Sequence, residues 1–395
     1  MSGLILCGLL AVNIAAPWQY LHDDNGAFYS SIARSHLVGG LSATRGQDFL
    51  TERAGGALRP YLHHPPLLAL YLAAVFGLVG DDSPAVARTA MALLHLASFF
   101  LFCATIRGVT RSALVSTWCM LGFAVVPMSS FFGKMPNHEP LSLMFVMLAL
   151  FAYTKRRDTG HGFFWLPVAS VAWALAVLSA WHAAFIGLSF AGYAACSKSR
   201  RDPTYAAVAL TAVVIAIGLA GAHLLWANHG ASLPSQRAAL AYWLRGPQDG
   251  SSLSAVLSDF GKPLAHGRRF FNAPWFMAVA YFLRPLLQPA KSSVDPFVAA
   301  LWSGTLLYWL CFHYAVGVHA YQLFFLLPGV LLASGLLLDD VVSTIRPTRP
   351  GAAAAILFGA VLMTAGFSVA RLSKIYAKSD AYAVQTTQSL SQRYL

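Results

Sequence analysis

Charged side chains are scarce in this chain of 395 residues, where Asp, Glu, Lys and Arg together make up 11% of the sequence. A soluble globular protein carries roughly 25% charged residues. Residues of the AVILMFWYC set reach 57%, and the mean hydropathy is +0.59. This composition excludes a soluble globule, a disordered chain and a disulfide scaffold, since too little charge remains to solvate a surface. The sequence therefore predicts an all-α polytopic membrane protein.

Several chemical signatures are also missing from the sequence. The five cysteines lie inside apolar runs and form no C-x-x-C pair, which excludes a disulfide framework and a cysteine zinc site. The sequence has no P-loop, no G-x-S-x-G and no H-E-x-x-H motif. The formal net charge is +12, but many basic residues occur in short clusters between apolar runs, as membrane topology requires. Nucleic acid is therefore not an expected partner.

A helix that crosses the bilayer needs roughly 20 mostly apolar residues. Twelve apolar runs are candidates, at 3–17, 65–80, 86–106, 112–131, 137–154, 163–180, 183–197, 203–227, 273–290, 296–312, 321–338 and 351–370. We interpret 65–80 as a helix that lies at or dips into the interface, which leaves about eleven transmembrane helices.

The positive-inside rule then sets the orientation of the helices. With this threading, the basic connections are all cytoplasmic, namely Arg107–Arg111, Lys155–Arg157, Lys198–Arg201, Lys291 and Arg346–Arg349. The N-terminus is cytoplasmic, and most histidines and both glutamates face the outer side. We expect one integral-membrane domain over 1–395, with an N-terminal catalytic module (1–200), variable C-terminal helices (201–395) and no soluble domain.

The first candidate site is an acidic pair, Asp23 and Asp24, which follows the first apolar run and precedes Tyr29. Either acid, or Asn25, could simply cap an amphipathic helix. Alternatively, partial burial at the membrane edge would raise the pKa of one carboxyl group and make it a general base.

The second candidate site is the histidine pair His63 and His64, which precedes Pro65-Pro66. Two prolines fit the first turn of a helix, so they would hold both imidazoles at its positive end. A phosphate is favoured at this position, and the histidines could donate hydrogen bonds to it. The alternative is a pair of interfacial histidines without a ligand.

The third candidate site is the segment Asn137-His138-Glu139, where one of the two glutamates of the chain lies between prolines at a membrane edge. Asn137 could act only as a helix cap, with Glu139 in the first turn. No cofactor is firmly expected, although His63, His138 and Glu139 could in principle bind a divalent cation.

The fourth candidate site contains His319 and Tyr321, near the outer end of an apolar run. An aromatic belt at the membrane surface would explain the tyrosine but not the histidine. Arg268 and Arg269 could clamp a phosphate or contact anionic lipid headgroups, and the sequence favours neither.

The order of these motifs resembles the GT-C superfamily of membrane glycosyltransferases, in the branch of the protein O-mannosyltransferases and the aminoarabinose transferase. The resemblance covers most of residues 18–330. It rests on the acidic pair before Tyr29 to Arg34 and Gly39-Gly40, on His63-His64-Pro65-Pro66, on Glu139, and on His319 and Tyr321 before Leu327-Pro328.

This resemblance implies a GT-C fold with interfacial helices in the first outer loop. It implies inverting transfer of a sugar from a polyprenyl-phosphate donor to a cell-envelope glycan, glycolipid or protein acceptor on the outer face of the plasma membrane. Asp23 or Asp24 would be the general base, His63 and His64 would lie near the donor phosphate, and Glu139 would be the second acid. The alternatives are a transporter or permease for lipid-linked sugars, and a relative that only binds them.

Overall fold

The computed structural model describes residues 1–47, 49–50, 59–60, 64–158, 162–198, 200–227, 253–287 and 294–394. His63, Glu52 and Lys291 lie outside these residues. The described chain is almost entirely helical, and the predicted all-α membrane fold is confirmed.

The described residues of the N-terminal half form ten α-helices and one short pair of strands. The elements are α1 (Ser2–Ala11), α2 (Asp23–Thr44), β1 (Phe49–Leu50), β2 (Arg59–Pro60), α3 (Leu67–Val79), α4 (Pro84–Val109), α5 (Ala113–Val125), α6 (Pro127–Ser130), α7 (His138–Asp158), α8 (Trp165–Ser179), α9 (His182–Cys196) and α10 (Pro203–Ala227). A 3₁₀ turn, Phe132–Lys134, lies between α6 and α7. The two strands pair antiparallel, with Phe49 opposite Pro60.

The C-terminal half contributes seven described α-helices. They are α11 (Leu253–Phe271), α12 (Ala273–Leu287), α13 (Pro296–Cys311), α14 (His313–Val318), α15 (Leu327–Ile345), α16 (Pro350–Tyr376) and α17 (Ala381–Tyr394). A 3₁₀ segment, Ala320–Leu326, leads directly into α15.

Four described segments are long and apolar enough to cross a membrane, and a fifth span results if the pair bent at Pro127 counts as one. The four are Pro84–Val109, Pro203–Ala227, Ala320–Ile345 and Pro350–Tyr376. Six shorter apolar helices accompany them, among them α3, α8, α9 and α13. The chain is therefore a multi-pass membrane protein, and the count of about eleven spans stays a prediction.

Three sequence-based boundaries differ from the structure. The first apolar run, 3–17, forms a helix only to Ala11, because Asn13 adopts a left-handed backbone conformation with φ 54°. Helix α2 begins at Asp23 rather than further along the chain, and it bends at Gly40, where φ is 74°. Pro65 and Pro66 precede α3 instead of forming its first turn, since that helix begins at Leu67.

Three of the basic connections lie together at one end of the bundle. The Arg200 guanidinium donates a hydrogen bond of 2.6 Å to the Val109 carbonyl. Arg156 and Asp202 form an ion pair of 2.6 Å. The Ser112 hydroxyl donates to Asp339, which brings the end of α15 to the same edge. We name this end, with the connections after α4, α7, α9 and α15, the basic edge.

Candidate functional site

The opposite end of the bundle gathers the start of α2, α7 and α9 together with the segment before α15. The chain enters α2 through His22, which has a left-handed backbone with φ 60°. Non-glycine residues rarely adopt this conformation, and it directs the chain sharply into the helix. The acidic pair is thereby held at the first turn of α2, where the positive end of the helix dipole favours carboxylates.

Asp23 is buried and fully engaged in an ion pair. Its Oδ2 accepts hydrogen bonds from the Gln19 and Tyr20 backbone N–H groups, at 3.0 and 2.9 Å. The Arg88 guanidinium of α4 donates to the same oxygen at 3.0 Å. Arg88 also stacks on the Trp18 ring, 4.3 Å from its centroid. Asp23 therefore fixes the loop before α2 against α4.

Asp24 has a different environment from its neighbour. It is only partly buried, and burial raises the pKa of its carboxyl group to about 6, with Asp380 and Asp23 adding to the rise and two backbone hydrogen bonds opposing it. Asp380 lies at the start of α17, and its N–H donates to the Gln19 carbonyl at 2.7 Å. Of the two acids, Asp24 is the one whose carboxylate can accept a proton near neutral pH.

Three aromatic residues from three segments meet in a buried stack. The His64 and His138 rings are parallel, with centroids 4.3 Å apart. The Tyr29 ring packs edge-on against His138 at 4.6 Å. The His138 Nδ1 lies 2.8 Å from the Ser179 carbonyl oxygen, which orients the ring. Tyr29, His64 and His138, which come from separate candidate motifs, are thus brought together.

Glu139 lies beside this stack in a narrow cleft. Its side chain is buried, and its Oε2 has no hydrogen-bond partner within the described part of the chain. Asn137, Tyr321 and Phe132 line the same cleft, which in this state is too narrow for a water molecule. The Asn137 side chain accepts a hydrogen bond of 3.0 Å from the His138 N–H, so it also stabilises the start of α7.

A second aromatic group joins the first loop to the segment before α15. His22 packs edge-on against Tyr321 at 5.2 Å, and His319 stacks on Tyr321 at 5.1 Å. Burial lowers the pKa of His22 and of His319 to about 4, and the nearby His266 adds to both effects. Both imidazoles are therefore neutral at pH 7 and can donate one hydrogen bond each.

The two arginines of α11 differ in their relation to this group. Arg269 is exposed and lies close enough to His266 to lower its pKa, although burial is the main cause. His266 in turn lies 3.2 Å from the Gly317 carbonyl oxygen through its Nε2. Arg268 is also exposed, and within the described residues no hydrogen bond or ion pair connects it to the site.

Sequence reasoning missed three buried residues at this end. Arg88 is a lone charge in an apolar run. Because charged residues inside membrane helices are usually functional, this isolated charge is the signal that could have identified it. Lys134 donates to the Leu10 carbonyl at 3.2 Å. His182 stacks on Tyr308 with ring centroids 3.4 Å apart, next to His138. His223 lies near the end of α10, with its Nε2 2.9 Å from the Arg45 carbonyl oxygen.

The described residues contain no group of three His, Cys, Asp or Glu side chains arranged to hold a metal ion. His63, one member of the cation set considered from the sequence, lies outside the described residues. Of the three residues considered as ligands of a cation, the structure therefore describes only His138 and Glu139, which are adjacent in the chain.

The chain is similar to known proteins both in sequence, over part of its length, and in fold. The family described as dolichyl-phosphate-mannose-protein mannosyltransferase matches residues 63–226. No curated protein matches the sequence significantly.

Two solved structures share the fold over nearly the whole chain. ArnT from Cupriavidus metallidurans, bound to undecaprenyl phosphate, is 15% identical, with a TM-score of 0.60 over 99% of this chain and 75% of ArnT. The Archaeoglobus fulgidus oligosaccharyltransferase, in complex with Zn and sulfate, is 16% identical, with a TM-score of 0.58 over 94% of this chain. The match spans about half of that enzyme, 52% of its length. The resemblance seen in the sequence is thus confirmed, and the chain has the fold of the GT-C superfamily of membrane glycosyltransferases.

Proposed function

We propose that this protein is an inverting glycosyltransferase that moves a sugar from a polyprenyl-phosphate donor to a cell-envelope glycan, glycolipid or protein acceptor. One observation carries the proposal. Four separate candidate motifs, the acidic pair, His64, Asn137–Glu139 and His319–Tyr321, meet at one end of a GT-C fold. The lipid bound in ArnT, undecaprenyl phosphate, is a polyprenyl phosphate, the kind of carrier lipid that a donor of the proposed class would release.

We assign the general base to Asp24 rather than to Asp23. The Asp23 carboxylate already accepts three hydrogen bonds on one oxygen, from two backbone N–H groups and from Arg88, and these contacts engage it in holding the loop. The Asp24 carboxyl group has a pKa raised to about 6 by burial, which suits a base that works near neutral pH. Asp23 then acts as a positioning residue for the loop.

The proposed transfer is a single displacement with Asp24 as the base and polyprenyl phosphate as the leaving group. Asp24 takes the proton of the acceptor hydroxyl as the acceptor oxygen attacks the anomeric carbon from the face opposite the phosphate. The new C–O bond forms while the bond from the anomeric carbon to the phosphate oxygen breaks, and polyprenyl phosphate leaves with the electron pair. The configuration at the anomeric carbon inverts because there is one displacement.

The neutral histidines and Tyr321 suit the donor phosphate. Hydrogen bonds from His22, His319 and the Tyr321 hydroxyl would hold the donor phosphate, which is already an anion before transfer. Arg269, exposed at the end of α11, would add positive charge at the entrance. We assign Glu139 to the sugar, because a buried carboxyl group whose Oε2 has no partner among the described residues can form hydrogen bonds with sugar hydroxyl groups.

The site also favours an enzyme over a transporter. A transporter is expected to place its ionisable residues near the bilayer midplane, on interrupted helices. Here the acids and histidines of the site cluster at the start of α2, α7 and α9, and many of the basic residues lie at the opposite edge. We infer that the site end faces the outer side of the plasma membrane and that the N-terminus is cytoplasmic.

The direct test is sugar transfer by the purified protein in nanodiscs. A panel of radiolabelled polyprenyl-phosphate sugars is supplied with an envelope lipid extract, and wild type is compared with Asp24→Asn and Asp23→Asn. We expect label to move from one donor to a new product, and Asp24→Asn to abolish transfer while the protein stays folded. Transfer by Asp24→Asn at the wild-type rate would contradict the assignment of Asp24 as the base. The absence of transfer from every donor would contradict the proposed glycosyltransferase activity.

A further inference from the structure

An open groove of about 500 Å³ lies between α9 and α13, away from the proposed active site. Helix α9 begins at His182, beside the site, and ends at Cys196, beside the groove. At 1.5 Å per residue these two ends are about 20 Å apart. The groove therefore opens at the basic edge, near the opposite membrane surface.

The groove results from small side chains beside a close helix contact. A Cβ atom at Gly304 of α13 would lie 2.5 Å from the Ile186 Cα, so the two backbones nearly touch there. One helical turn further, the Ser189 hydroxyl donates to the Ala300 carbonyl at 3.0 Å. Towards the basic edge the facing positions are small, with Ala299 and Ser303 on α13, and they leave open space.

The mouth of the groove is polar and basic. Lys198, Ser197 and Tyr193 line it, and Lys198 is exposed. Arg200 lies near Tyr193, and its buried Nη1 has no hydrogen-bond partner among the described residues. Lys198 thus places a positive charge at the mouth of a groove whose α13 wall consists of proline, alanine and serine residues.

The nearby carboxylates are already engaged. Asp202 is paired with Arg156 at 2.6 Å. Asp295 caps α13, where its Oδ1 accepts the Phe297 and Val298 N–H groups at 2.8 and 3.3 Å. The positive charge of Lys198 is consequently not neutralised by either acid.

We propose that this groove binds the phosphate headgroup of an anionic phospholipid such as phosphatidylglycerol. The Lys198 ammonium would bind the phosphate, while the acyl chains follow the wall of small side chains on α13. Charge complementarity favours this occupant, because a basic mouth that opens at headgroup depth attracts anionic lipid. The site is separate from the proposed donor site and does not depend on the proposed activity.

The test is native mass spectrometry of the full-length protein in detergent, titrated with dioleoyl phosphatidylglycerol and, separately, with dioleoyl phosphatidylcholine. Lys198→Gln removes the charge, and Ser303→Leu fills the groove without changing any charge. Lys155→Gln is the matched control, because Lys155 belongs to the same basic edge but lies over the Phe151 ring, 5.5 Å from its centroid.

We expect wild type to retain phosphatidylglycerol over phosphatidylcholine. Lys198→Gln should weaken the binding of phosphatidylglycerol about fivefold, the effect of one lysine near anionic lipid. Ser303→Leu should weaken it also, and Lys155→Gln should not. Equal losses in Lys198→Gln and Lys155→Gln would mean only a diffuse attraction by the basic edge. Unchanged binding in Ser303→Leu, or equal retention of the two lipids by wild type, would overturn the assignment.

Discussion

The Asp23 carboxylate lies 3.0 Å from the Arg88 guanidinium, and both side chains are at most 5% exposed. Arg88 also donates to the Ile14 and Pro17 carbonyls, at 3.1 and 3.3 Å. One guanidinium on α4 thus binds both the carboxylate and the backbone of the loop before α2. Because Asp24 is the next residue, this ion pair also determines where the proposed base lies.

Replacement of Arg88 should therefore destabilise the protein and reduce transfer at the same time. Arg88→Gln leaves the Asp23 carboxylate buried without its charge partner, and such a loss costs about 3–5 kcal/mol of unfolding free energy. Thermal unfolding in detergent measures the loss. The double variant Arg88→Gln with Asp23→Asn should recover part of it, because no unpaired charge is then buried.

The matched control is Arg34→Gln, which breaks an ion pair of 2.6 Å with Asp82 whose side chains are 41% and 40% exposed. Exposed pairs contribute about 0–1 kcal/mol, so this variant should unfold within a few degrees of wild type. Equal destabilisation by both replacements would contradict the special role of the Asp23–Arg88 pair.

The pH dependence of transfer should follow the ionisation of Asp24. The base must be deprotonated, and burial raises the pKa of its carboxyl group from 3.8 to about 6. The rate at limiting donor should therefore fall as the pH drops through 6 and should level off above it. A profile that stays flat down to pH 5 would show that another group is the base.

The same shift predicts how Asp24 affects stability. A carboxyl group with a raised pKa binds its proton more tightly in the folded state, so stability is lost as the pH rises from about 4 to about 6. Asp24→Asn should accordingly unfold at a higher temperature than wild type at pH 7.5, and at nearly the same temperature at pH 4.

Asp380→Asn should lower the midpoint pH of the transfer profile, because Asp380 adds to the rise of the Asp24 pKa.

Much of this architecture follows from the sequence because apolar runs and basic clusters are local signals. The runs at 86–106, 163–180 and 203–227 correspond to α4, α8 and α10. The grouping of Arg107–Arg111 with Lys155–Arg157 follows from the positive-inside rule, and the contacts of Arg200 and Asp202 agree with it. The fold class can therefore be predicted without knowing which helices contact each other.

The site was only partly predictable, because its partners are distant in the sequence. Nothing local shows that Arg88 binds Asp23, 65 positions away, or that His64 stacks on His138. The choice between Asp23 and Asp24 depends on that tertiary contact. His182 carries no motif, and its stacking on Tyr308 results from the packing of α9 against α13.

Glu139→Gln should abolish most transfer and leave the fold intact. The amide has nearly the same shape, so the buried position is not harmed, but one of the two carboxyl oxygens that can bind sugar hydroxyls is replaced by an NH2 group. Loss of one hydrogen bond that strengthens in the transition state costs about a hundredfold in rate. Initial rates at saturating donor, with unfolding temperatures measured in parallel, test this. A rate within twofold of wild type would place Glu139 outside the reaction.

His319→Ala should weaken donor binding more than it slows the chemical step. A hydrogen bond to a charged group contributes about 1.5–3 kcal/mol, so the KM for the donor should rise about tenfold or more. His36→Ala is the control, since His36 lies in α2 and its Nδ1 is 2.9 Å from the Thr44 hydroxyl rather than in the site. If His319→Ala leaves the KM unchanged, the phosphate does not bind at Tyr321 and His319.

Gly304→Ala should destabilise the contact between α9 and α13. The added methyl group would lie 2.5 Å from the Ile186 Cα and 2.9 Å from the Phe185 carbonyl oxygen, and backbone atoms cannot move aside as a side chain can. Overpacking of this kind costs about 1–3 kcal/mol, which unfolding in detergent detects as a lower midpoint temperature. Gly218→Ala is the control, because a Cβ on that helical residue meets no atom within 4 Å. It should be neutral or stabilising, since alanine favours helix by about 1 kcal/mol over glycine. Equal midpoint temperatures for the two variants would mean that α9 and α13 can move apart at Gly304. The close contact of these two helices would then not determine the shape of the lipid groove.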